Sequence, residues 1–72
     1  MVEIFKTNVK NKRLAGRIVK RLKADFPSHH FNFDLEDCDR ILRVQTGGIE
    51  IEASRIIGIV KDERVEICLF EG

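Results

Sequence analysis

Apolar and polar positions alternate from the first residues, where Val2, Ile4 and Lys6 interleave with Glu3 and Phe5. Period two is the spacing of a strand, whose successive side chains leave on opposite faces, so the opening segment predicts a first strand. From Leu14 the period changes. Leu14, Ala15, Ile18, Val19 and Leu22 recur three and four apart, while Lys12, Arg13, Arg17, Lys20, Arg21 and Lys23 fill the positions between them. The spacing predicts a helix over residues 11–25, capped by Asn11, with an apolar stripe toward the core and a basic outer face. Pro27 stops it, because the residue before a proline, here Phe26, is pushed out of the helical region.

Period two then returns. His30, Asn32, Asp34 and Glu36 alternate with Phe31, Phe33 and Leu35, a half-buried strand over residues 29–36 with its aromatics inward. Asp37, Cys38 and Asp39 form the turn to a third strand over residues 40–45, which Gly47 and Gly48 end. Ala53, Ile56, Ile57 and Val60 mark a second helix over residues 52–63, and Val65, Ile67 and Leu69 a last strand over residues 65–70. Residues 49–52 offer an alternative, an extra strand pairing back across the glycines. The order strand, helix, strand, strand, helix, strand predicts an α+β, ferredoxin-like βαββαβ sandwich: a four-stranded antiparallel sheet with two helices on one face. With Val65, Ile67 and Leu69 toward the helices, Phe5, Ile41, Cys68 and Phe70 are expected on the open face, an apolar group that suits a homodimer or another partner.

Seventy-two residues, 43% hydrophobic and 35% charged, suit one small domain spanning 1–72, with no room for a deep cavity between domains. The longest apolar run, around Ile56 to Val60, is interrupted by Gly58 and falls far short of the roughly 20 residues that span a bilayer. The first residues lack the continuous apolar core of a secretory signal, so a cytoplasmic setting without membrane contact is expected. Cys38 and Cys68 are expected as free thiols, because strands two and four would be opposite edges of the sheet.

A net charge of +1 conceals an uneven distribution. Residues 1–23 carry +7 and the remainder −6. The basic residues gather on the first helix and four acids gather at Asp34, Glu36, Asp37 and Asp39. An acidic protein partner for the helix is the functional expectation. Nucleic acid is not expected, since the third strand offers no aromatic side chain for stacking bases.

The hairpin segment from Phe33 to Val44, reading Phe-Asp-Leu-Glu-Asp-Cys-Asp-Arg-Ile-Leu-Arg-Val, resembles the central hairpin of heavy-metal-associated domains, the family of copper chaperones and metal-ATPase modules. Element order and length are similar over nearly the whole chain. The family holds soft metal through Met-x-Cys-x-x-Cys between the first strand and first helix, where this chain has Lys6, Thr7, Asn8, Val9, Lys10 and Asn11. Asn8 and Asn11 fall near the two cysteine positions, and a neutral amide is a hard, weak donor where the family uses soft thiolates. The resemblance therefore implies the scaffold and a docking role for Lys10, Lys12, Arg13, Arg17 and Lys20, without the thiol chemistry.

The expectation is a non-enzymatic interaction or regulatory module that needs no cofactor. The alternative is a copper- or zinc-binding chaperone or sensor with non-standard ligands drawn from Cys38, Cys68, His29 and His30, within one chain or across a dimer; His29 and His30 leave a strand on opposite sides and do not easily grip one ion together. A third reading, a small-ligand regulatory domain of the same topology, requires a dimer with a groove at its interface.

Overall fold

The computed structural model describes residues 1–70. Its elements are β1 (Val2–Thr7), α1 (Lys12–Asp25), β2 (His30–Asp34), β3 (Ile41–Gln45), α2 (Ala53–Lys61) and β4 (Ile67–Leu69). The strands form one antiparallel sheet in the order β2-β3-β1-β4, the α+β ferredoxin-like arrangement that the element order predicts. Residues 49–52 hold no strand, and their backbone instead leads into α2.

Both helices share one core. Ala15, Ile18 and Leu22 of α1 and Ile56 and Val60 of α2 pack with Phe5, Leu42, Val44 and Ile67 of the sheet. The strand ends are shorter than their alternation suggests. Leu35 and Glu36 belong to the turn after β2, where the Asp34 carboxylate accepts from the Glu36 N–H at 3.3 Å and the Asp37 carboxylate from the Asp39 N–H at 2.8 Å. Such local side-chain bonds compete with the ladder and end it. Arg40, at φ 47°, turns the chain into β3, and Arg64, at φ 61°, follows α2 in the same left-handed region.

The expectation for Phe5 is corrected. Its ring is fully buried beneath the helices, and the neighbouring Ile4 takes the open face in its place. Register explains the reversal. Phe5 lies opposite Leu42 on one side and Leu69 on the other, and opposed residues of an antiparallel pair share a face. The face that Phe5 shares with Leu42 and Leu69 is the one the helices cover, so its ring is sealed there while Glu3, on the same face, stays half-buried and Val2, on the other, is exposed. Ile41, Cys68 and Phe70 do occupy the open face, yet Ile41 is only 8% exposed between the neighbouring strands. Phe70, 38% exposed beside Ile4, is what remains accessible of the expected apolar group.

Candidate functional surface

The loop between β1 and α1 is held by hydrogen bonds at both ends. Asn8 Oδ1 accepts from the Glu66 N–H at 2.9 Å, the Asn8 N–H donates to the Glu66 carbonyl at 3.2 Å, and Asn8 Nδ2 reaches Glu66 Oε2 at 3.4 Å. Asn11 is spent on the helix. Its Oδ1 accepts from the Leu14 N–H at 2.8 Å, satisfying one of the amides that a helix start leaves unpaired. Thr7 fastens the strand end through its hydroxyl, which donates to the Arg40 carbonyl at 2.6 Å, and Val9 is fully buried. Both amides in the loop thus have structural partners.

Four side chains with metal-ligating chemistry are dispersed. Cys38 is exposed in the β2–β3 turn, whereas Cys68 is exposed on β4 at the opposite edge, and both are free thiols. His30 faces solvent on β2. His29 is 4% exposed, stacked on Phe31 and tilted against Phe26 with ring centroids 5.9 and 5.0 Å away, and neither ring nitrogen has a hydrogen-bond partner. Among the described residues, one cluster has metal-ligating atoms within 4.8 Å of one another: Asp37, Cys38 and Asp39. Asp39 of that cluster also pairs with Lys6 at 3.5 Å.

The basic face of α1 divides into two parts. Arg17 and Arg21 reach across to the end of α2, Arg17 Nε to Glu63 Oε1 at 2.9 Å and Arg21 to Glu63 and Asp62 at 2.8 and 2.7 Å. These bonds fasten the helices together. The hydrogen bond from Arg21 holds the Glu63 carboxyl below its ordinary range; desolvation opposes it, and the hydrogen bond from Arg17 and the charges of both arginines add to the lowering. Arg21 is raised in turn by its hydrogen bonds to Asp62 and Glu63. Arg21 stands outside the docking residues implied by the family resemblance, and its role was visible only as a charge pattern: cations four apart on one helix, adjacent acids closing the next. Lys10, Lys12, Arg13 and Lys20 are exposed and make no ion pair within 4 Å among the described residues.

No family model, curated protein or solved structure matches the chain. Among the described residues no helix is long and apolar enough to cross a membrane.

Proposed function

We propose that the chain is a non-enzymatic docking module, similar in scaffold to heavy-metal-associated domains but without their thiol site, that binds an acidic protein surface through the outer face of α1. The observation that carries this reading is the division of the basic face. Two arginines are neutralised in holding the helices together, while Lys10, Lys12, Arg13 and Lys20 keep their charge directed to solvent. Unpaired charge on a rigid helix accelerates encounter with an oppositely charged surface and selects against basic partners. The free thiols support a cytoplasmic setting.

The test uses a fluorescent polyglutamate peptide as a minimal acidic probe, followed by anisotropy at about 50 and about 300 mM salt, conditions between which screening rises strongly. Wild-type binding is expected to weaken with salt. The double reversal Arg13→Glu with Lys20→Glu should reduce affinity at low salt at least about tenfold and flatten the salt dependence. Replacing Cys38 and Cys68 with serine should change neither. Equal affinity for wild type and the charge-reversed protein would remove this reading.

A further inference from the structure

We infer that two copies of this chain join along β2, extending the sheet to eight strands through an antiparallel β2–β2 pairing centred on Asn32. The backbone identifies the free edge. The Thr46 N–H donates to the Met1 carbonyl, so the even-numbered positions of β3 bond toward β1 and Ile41, Arg43 and Gln45 bond toward β2. Their partners Asp34, Asn32 and His30 are thereby satisfied, which leaves the N–H and C=O groups of Phe31 and Phe33 pointing outward from the sheet. No hydrogen bond between elements uses either residue on that side among the described residues.

The two edges differ. β4 spans three residues, a length that itself discourages edge pairing, whereas β2 spans five, with neither proline nor lysine among them. Its sequence is complementary to its own reverse. About an axis at Asn32, Phe31 meets the partner's Phe33 in a pair that exchanges two backbone hydrogen bonds, and symmetry supplies the second such pair. On the open face His30 meets the partner's Asp34, a donor ring opposite a carboxylate, again twice. Phe31 and Phe33 are only half-buried by α1 in one copy, so their rings gain cover from the pairing.

The helix layer fits as well. A groove of about 490 Å³ runs along this edge between α1 and β2, lined by Lys12, Ala15, Phe33, Leu35 and Glu36 among others. The flank of α1 turned away from α2 presents Lys12, Gly16, Val19 and Lys23, with small side chains midway and cations at its ends. This inference does not rest on the acidic-partner reading.

Sedimentation equilibrium of the intact chain from about 1 μM to about 1 mM, the range in which a modest interface is populated, is the test. A dimer is expected, with the Phe31 and Phe33 amides slow to exchange in deuterium at high concentration and fast on dilution, while Asn32 stays protected in both. Asp34→Lys and His30→Glu, both at exposed positions, should each weaken self-association at least about tenfold, and mixing the two variants should restore it as a heterodimer. A monomer throughout the range would overturn the inference. So would a dimer with fast-exchanging Phe31 and Phe33 amides, or one insensitive to both charge changes yet dissolved by Phe70→Asp on the open face.

Discussion

Phe5 on β1 and Phe70, the residue after β4, are one step out of phase: Phe5 faces Leu69 beneath the helices, and the Phe70 N–H donates to the Ile4 carbonyl. Alternation alone leaves the sign of a strand undecided, since either set of side chains in residues 2–6 is apolar enough to face inward. The consequence is measurable. Phe5→Ala should lower the unfolding free energy by about 3–5 kcal/mol, the range for emptying a core aromatic site. Phe70→Ala should cost less than about 1 kcal/mol, and urea titrations of the two variants should separate them clearly. Asn8 and Asn11 teach a different lesson at this scale. Their position in the loop is readable along the chain, as is the capping preference of Asn11, but the bond from Asn8 to Glu66 joins residues 58 apart.

Among the elements, α1 matches its sequence pattern closely because one long amphipathic stripe, a side-chain cap and a following Phe-Pro all agree. α2 is shorter than its periodicity suggests, ending at Lys61, and Glu63 beyond it turns back to Arg17 and Arg21. That link makes a pH prediction. Because the folded state holds the Glu63 carboxyl below its ordinary value, its contribution to stability is fully present above the unfolded carboxylate range. The contribution disappears as pH falls through the lowered folded value. Glu63→Gln should therefore destabilise at pH 7 and lose its disadvantage in strong acid, so thermal melts of the variant and wild type should converge there. A constant gap between the two curves would mean that the carboxylate does not couple the helices.

At the scale of the molecule, a chain with opposite charge in its two parts folds so that the opposition is partly cancelled inside and partly left on display. Lys6 with Asp39, and Arg17 and Arg21 with α2, join the basic and acidic segments. The rest of the α1 cations stay exposed, with no ion pair among the described residues. The same view bears on metal. Cys38 and Cys68 lie at opposite edges, His29 is enclosed by aromatic rings, and the loop asparagines are engaged, so one copy does not gather these groups into a soft-metal site. Anaerobic titration of the reduced protein with Cu(I) and with Zn²⁺ should show no stoichiometric uptake against a competing chelator. Tight one-to-one uptake that is lost on Cys38→Ser or Cys68→Ser would establish a relocated metal centre instead.

The order and type of the elements, the basic face of α1 and the separation of the two cysteines follow from the sequence by itself, because periodicity, capping and connection rules act over short stretches of chain. Tertiary structure alone decided that Phe5 rather than Ile4 enters the core, that Arg17 and Arg21 are engaged while Arg13 and Lys20 make no ion pair among the described residues, and that β2 presents the longer open edge. Each of those outcomes depends on which distant strand or helix becomes a neighbour. A local pattern specifies two faces, and only packing against the rest of the molecule determines which face is covered.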